Sequence, residues 1–229
     1  MSRSNDLDAE EPSTSVYAVL GLMGIGAQSA YELTRQMQRT LRFIWPRAAS
    51  KLYEAPKLLA SLGLARAIPE SSGRRRRTRY SITPEGRAAL TRWLATRHIA
   101  PLDVESEALL RVWFGRFGTI EDLRTAIQTV QAQAEANLRW GTQIAQEYLA
   151  EGVPPERGHV SVLIFRFLWD FNRMLYAWAT WSQQELSEWR DVEPTPERME
   201  RASEIVRQAL TERVDMSGQE LPVGRQRSG

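Results

Sequence analysis

The chain has 229 residues, 42% of them apolar, and carries 30 basic against 28 acidic side chains with no cysteine. That length holds one large or two small domains, and the lack of cysteine excludes disulfides, thiolate metal sites and cysteine nucleophiles. The near-balance of charge hides a division: between Tyr31 and Arg97 there are 15 Lys and Arg against 4 Asp and Glu, leaving 15 against 24 for the rest, so only the first region suits a polyanion.

Met1 to Thr14 is polar, with four acidic residues and no apolar centre. It does not read as a signal peptide, and residues 1–13 are expected to be a disordered tail. Val16 to Met23 is a short apolar run of the kind buried in a small bundle, broken by Gly24 and Gly26. Ser29-Ala-Tyr-Glu32 is a capping-box pattern that predicts a helix from Ala30 to about Leu41, burying Leu33 and Met37. Trp45-Pro46 marks a turn. A third helix is expected from about Arg47 to Leu62, with Leu52, Ala55, Leu58, Leu59 and Leu62 on one face and Arg47, Ser50, Lys51, Glu54 and Lys57 on the other. Gly63 stands where a C-terminal cap belongs.

Leu64–Ile68 and Thr78–Ile82 read as two strands joined by a turn at Ser71-Ser72-Gly73, and Thr83-Pro84-Glu85 as a helix start running to about Arg97. Five arginines, Arg74, Arg75, Arg76, Arg77 and Arg79, fall on the tip and return arm of this ribbon. Helices followed by a basic ribbon describe a winged helix, and the partner such a wing suits is the backbone of double-stranded DNA. A charge run is more often a solvated loop. Its place beside a helix with a basic outer face favours phosphate or minor-groove contact here.

The second half is helical. Glu105–Phe117 is amphipathic, Thr119 caps a long helix from Ile120 to about Glu151, and Gly152-Val153-Pro154-Pro155 ends it. A second long helix is expected from Val160 to about Trp189, and Thr195-Pro196-Glu197 opens a last one, to about Arg213. Arg166, Asp170 and Arg173 interrupt the most apolar segment, which argues against a membrane span; a soluble, cytoplasmic protein is expected. Trp113, Phe114, Trp140, Phe165, Phe167, Trp169, Phe171, Tyr176, Trp178, Trp181 and Trp189 are more aromatic surface than a few helices hide within one chain, with Trp113, Trp140, Phe165, Trp169, Tyr176, Trp178 and Trp181 foremost. They are candidates for a homodimer interface, or for an effector pocket beside it.

The order of parts resembles the PadR family of bacterial transcription regulators. The likeness rests on Ala18-Val-Leu-Gly-Leu22, Ala30-Tyr-Glu-Leu33, Trp45-Pro46, Ser50-Lys-Leu-Tyr53, Leu59-Ala-Ser-Leu-Gly-Leu64 and Arg79-Tyr-Ser-Ile-Thr-Pro-Glu-Gly-Arg87. It covers Val16 to Leu94 well and continues loosely through the helical half. It implies a winged helix-turn-helix dimer that usually represses transcription and often answers small aromatic or hydrophobic effectors. Ser50 and Tyr53 match the family's conserved serine and tyrosine of the recognition helix. Ala30 departs from the family's glycine and Glu54 from its proline, while Pro56 appears two residues later. Pro56 lacks the N–H that would bond the carbonyl of Leu52 and is expected to kink the third helix.

The sequence thus predicts a mainly α protein: a winged helix-turn-helix DNA-binding domain at residues 14–98, an all-helical dimerisation domain at 104–214 and a disordered tail at 215–229. Tyr31, Arg47, Ser50, Lys51, Tyr53, Lys57 and the five ribbon arginines are the expected DNA contacts, Lys51 above Lys57 because it lies nearer the helix N-terminus. The expected partners are operator DNA, a second copy of the chain and a small aromatic or hydrophobic effector. His98 and His159 read as surface residues, and Asp103, Glu105 and Glu107 as an acidic hinge without metal ligands. No motif indicates a cofactor or an enzyme. The rival reading is a winged-helix small-molecule sensor or protein adaptor that lacks operator recognition, for which Pro56 is the feature.

Overall fold

The computed structural model describes residues 12–37, 41, 43–45, 49–72, 75–97, 99–152 and 156–218. The chain divides into two compact units, Met1–Asp103 and Val104–Gly229.

The first unit opens with α1, Thr14–Ile25, which is apolar on nearly every side and buries Val16, Tyr17, Val19, Leu20, Leu22 and Met23. A helix greasy all round must be surrounded, and α1 packs against the next three helices and the sheet. The helix runs through Gly24 and stops at Gly26. The expected break at Gly24 does not occur, because contacts on every side offset the roughly 1 kcal/mol that a helical glycine costs. Ser29 then caps α2, Ala30–Gln36, with both arms of the box formed: the Glu32 N–H donates to the Ser29 hydroxyl and the Glu32 carboxylate accepts from the Ser29 N–H. The expected continuation to Leu41 falls partly on residues outside the described ones.

The third helix, α3, spans Ala49–Ser61 with Pro56 inside it. Its buried residues include Ala55, Pro56 and Leu59, whereas Leu58 and Leu62 are 44% and 40% exposed. The apolar face is therefore rotated from the expected one, and Pro56 is part of the core. Gly63, at φ 72°, ends the helix. Its N–H donates to the Ala60 carbonyl and the Leu64 N–H to that of Leu59, satisfying carbonyls that a helix end leaves open.

The ribbon consists of β2, Ala65–Ser72, and β3, Arg75–Ile82, antiparallel from Ala65↔Ile82 out to Ser72↔Arg75. Both strands extend further than the sequence suggests, so Ser71 and Ser72 belong to β2 and not to the turn; Gly73 and Arg74 lie outside the described residues. Pro69 is tolerated because β2 is an edge strand. A two-residue strand, β1 at Gln28–Ser29, pairs with the other side of β3. After the ribbon, α4, Pro84–Leu94, is capped by Thr83, whose hydroxyl accepts from the Gly86 N–H and donates to the Gly63 carbonyl. That one side chain ties the end of α3 to the start of α4. Tyr17 stacks on Trp93 at 5.2 Å between ring centres.

In the second unit, α5 (Glu107–Trp113) and a 3-10 turn (Gly115–Phe117) lead to α6, Ile120–Glu151, and α7, Gly158–Glu185. Thr119 and Asp122 form a capping box at the start of α6. The two long helices pack through Ile120, Leu123, Ile127 and Ala179, and through a polar seam. In that seam Asn137 donates to Asn172, which donates to the Leu168 carbonyl, and Gln131 bonds both Thr180 and Gln183. Arg124 donates to the carbonyls of Leu186 and Trp189 beyond the end of α7. The last helix, α8 (Pro196–Gly218), begins with Arg198 over the Trp189 ring and an Arg201–Glu185 ion pair. It reaches beyond the expected Arg213. Residues 1–11 and 219–229, most of the expected tails, lie outside the described residues.

Candidate nucleic-acid interface

The base of the ribbon is fixed by its inward residues. Ala65 and Tyr80 are buried, and Ile82 packs against the same core. From Arg66 outward β2 is exposed to Glu70, and on β3 so are Arg77 and Thr78. The arm therefore leaves the core about three residues from its root and offers side chains to a partner from there on. Arg75 and Arg76 lie in β3 as backbone, and Arg47 and Arg74 lie outside the described residues.

Arg79 is placed differently from Arg77. It sits on the central strand, flanked by Ser29 on β1 and Ile68 on β2. One guanidinium nitrogen donates to the Ala27 carbonyl, another lies 3.6 Å from the Glu70 carboxylate, and its Nε is buried without a hydrogen-bond partner. Nothing in the local sequence distinguishes it, since all five arginines read alike.

Tyr31, on the exposed face of α2, is 64% exposed. It borders a cleft of about 530 Å³ between α2 and β3, lined also by Glu32, Arg35, Arg77, Thr78 and Tyr80. Arg35 was not among the expected contacts. Its spacing of four from Tyr31, one helical turn, is the signal that would have found it. Glu32 is held below the ordinary carboxylate range, first by the Ser29 backbone and hydroxyl bonds and further by Arg79 and Arg77. It therefore stays ionised and offsets part of the positive charge of the cleft.

On α3, Ser50 and Lys51 are described as backbone of the first turn, and Tyr53 is 43% exposed. Lys57 is exposed and pairs with Glu54 at 3.3 Å, so a phosphate would have to displace that carboxylate. The sequence placed both on the outer face, but charge alone did not reveal their pairing.

In the second unit the expected aromatic residues fall into two groups. Trp113 is 82% exposed, and Tyr176 and Trp181 are each 38% exposed. Phe165 stacks on Trp169 at 6.1 Å, Trp178 packs against the α6–α7 core, and Trp140 is half-buried. Aliphatic residues add to the exposed apolar surface of α7, among them Val160, Leu163 and Met174. A groove of about 450 Å³ between α5 and α6 is lined by Arg111, Phe114, Leu123, Ala126 and Thr129 among others; of the second-half aromatic residues Phe114 lines it, and the seven foremost ones do not. His159 is exposed, and His98 lies outside the described residues. Among the described residues no three His, Cys, Asp or Glu gather as a metal site, and no helix is long and apolar enough to cross a membrane.

No family model matches the chain. Over 99 residues it is 28% identical to the negative transcriptional regulator PadR of Bacillus subtilis, a match covering 43% of this chain and 54% of that protein. The matched stretch thus spans about half the length of this curated relative. The crystal structure of Bacillus subtilis PadR in complex with operator DNA aligns with a TM-score of 0.64 at 22% identity, covering 76% of this chain and 99% of that one. Its structure in complex with p-coumaric acid aligns at 0.58 and 20%, covering 77% and 99%. At these identities the solved structures establish the fold, a winged helix followed by a helical unit. The chain is thus similar to PadR regulators in sequence over those 99 residues and in fold over about three-quarters of its length.

Proposed function

We propose that the chain is a DNA-binding transcriptional regulator acting as a homodimer on a palindromic operator. The observation that carries the reading is the exposed arginine-bearing arm beside α3, in the one region with a large positive excess. In this reading α3 enters the major groove with Ser50, Lys51 and Tyr53 foremost. Tyr31, Arg35 and Arg77 meet the flanking backbone, and Arg74, Arg75 and Arg76 are further phosphate contacts in this reading. Phosphate contacts supply affinity and register, and α3 supplies sequence choice. The exposed aromatic and aliphatic residues of α7 and α8 pair two subunits. Repression is the direction favoured by the role of the Bacillus subtilis relative as a negative regulator. A small aromatic or hydrophobic effector, of the class of the p-coumaric acid bound in the solved relative, releases the DNA only if it binds the non-competent geometry more tightly.

The rival sensor or adaptor reading rested on Pro56. That residue is buried in the core, and α3 continues past it to Ser61.

The test is selection of fragments from sheared genomic DNA by the purified protein, followed by titration between 50 and 200 mM salt. The expected result is enrichment of an inverted repeat with half-sites about 34–36 Å apart, bound with an affinity that falls steeply with salt. Lys51→Ala should blur the enriched sequence, whereas Arg77→Ala should weaken all sequences alike. Equal retention of every fragment, or of none, overturns the reading.

A further inference from the structure

We infer that Arg79 is a positioning residue: its guanidinium braces the root of the arm against the segment that leads into α2, and it does not itself hold a phosphate. The inference rests on the DNA-binding reading for its consequence, but the brace is a property of the protein alone. Among the ribbon arginines with described side chains, Arg79 is the one that donates a hydrogen bond inside the fold, while 39% of its side chain stays exposed. One outer nitrogen reaches the Ala27 carbonyl, just before β1, and the other faces Glu70 on β2. Ser29 and Ile68 are its register partners on the two sides. The side chain therefore links β1, β2 and β3 in a single span. β1 has only two residues and little ladder of its own, so this link is a further tie between the α2 entry and the arm.

The buried Nε points the same way. It is the one buried side-chain nitrogen or oxygen without a hydrogen-bond partner among the described residues. A buried donor left unpaired is unfavourable, and the bond from one outer nitrogen to the Ala27 carbonyl, with Glu70 facing the other, offsets that. The charges facing the group are Glu70, and Glu32, whose carboxylate feels both Arg79 and Arg77. Glu70 beside the guanidinium offsets part of its attraction for a further anion. Arg77, two positions outward on the same strand, is exposed and lines the α2–β3 cleft. It is the side chain that the brace would aim.

Arg79→Lys separates the two roles. Lysine keeps the charge but loses the planar fork, so it serves a phosphate as a point charge yet cannot span two acceptors in fixed geometry. The probe is a fluorescein-labelled 30-base-pair duplex of mixed sequence, titrated by anisotropy at several salt concentrations, with circular dichroism confirming a folded protein. Arg77→Ala alone should reduce the steepness of log affinity on log salt by about 1.8, about 0.9 for the phosphate lost from each subunit of the dimer. The brace requires that Arg79→Lys reduce the slope despite its retained charge, and that Arg77→Ala then cause little further loss. A slope unchanged in Arg79→Lys, with the full loss on adding Arg77→Ala, overturns it. Amide hydrogen exchange without DNA decides the same point independently. Arg79→Lys should speed exchange at Ser29 and in the outer ribbon but leave α4 unchanged, and equal exchange at Ser29 overturns the brace. If the wild-type chain binds no duplex, the DNA-binding reading fails, and the exchange result alone judges Arg79.

Discussion

Replacing Gly86 by alanine should break the joint between the arm and α4. A Cβ at Gly86 would lie 2.0 Å from the backbone oxygen of Leu64 and 2.9 Å from Cγ1 of Ile82. Backbone cannot rotate away as a side-chain tip can, so α4 or the root of β2 must retreat by about 1 Å, an overpacking cost of about 1–3 kcal/mol. The same Leu64 oxygen accepts the Thr83 N–H at 3.1 Å, and losing that bond adds about 0.5–1.5 kcal/mol. Together these give about 2–4 kcal/mol, which for a unit of this size lowers its melting temperature by roughly 10–30 °C. Scanning calorimetry measures the shift, and near-ultraviolet circular dichroism from the stacked Tyr17–Trp93 pair assigns it to the first unit. Gly21→Ala is the control: it lies inside α1 with nothing within 4 Å of its Cβ, and the same change should stabilise by about 0.5–1 kcal/mol. If Gly86→Ala melts with the wild type, the close approach of α4 to Leu64 is wrong.

Three further outcomes are expected. Leu59→Ala removes a fully buried side chain of α3 and should cost about 2–5 kcal/mol by chemical denaturation. Asn172→Ala takes the acceptor from Asn137 at a buried position of the α6–α7 seam; a loss of about 1–3 kcal/mol is expected, and no change in the second unit's unfolding would refute the seam. Glu32 has a depressed carboxyl pKa, chiefly through the Ser29 backbone bond. Its contribution is therefore present above the ordinary carboxylate range and lost as pH falls through the folded value. Glu32→Gln should accordingly lower the melting temperature at pH 7 but match the wild type once the wild-type carboxyl is protonated, and an equal gap at both pH values would contradict that sign.

Chain punctuation was the most legible part of the fold. Ser29, Gly63, Thr83-Pro84 and Thr119 each mark an end in the structure, because capping is decided within a few residues. What depends on distant partners was not legible. The strand β1 exists only by pairing with β3 some 50 residues on. The outer half of β2 contains a proline that only edge placement explains. The buried face of α3 turns on Pro56 filling the core, where the helical period alone favoured Leu58 and Leu62. At the candidate site, charge density located the arm and α3. It could not separate Arg77, which is exposed, from Arg79, whose partners come from Ala27 and Glu70, nor reveal that Lys57 is paired with Glu54.

The most direct measurement is the mass of the complex that the purified chain forms on an enriched genomic fragment, by light scattering or sedimentation in moderate salt. The expected mass is one duplex plus two chains of 26.2 kDa, with the same pairing of chains in the absence of DNA. A single chain on each duplex, or a monomer that leaves every fragment unbound, would contradict the account.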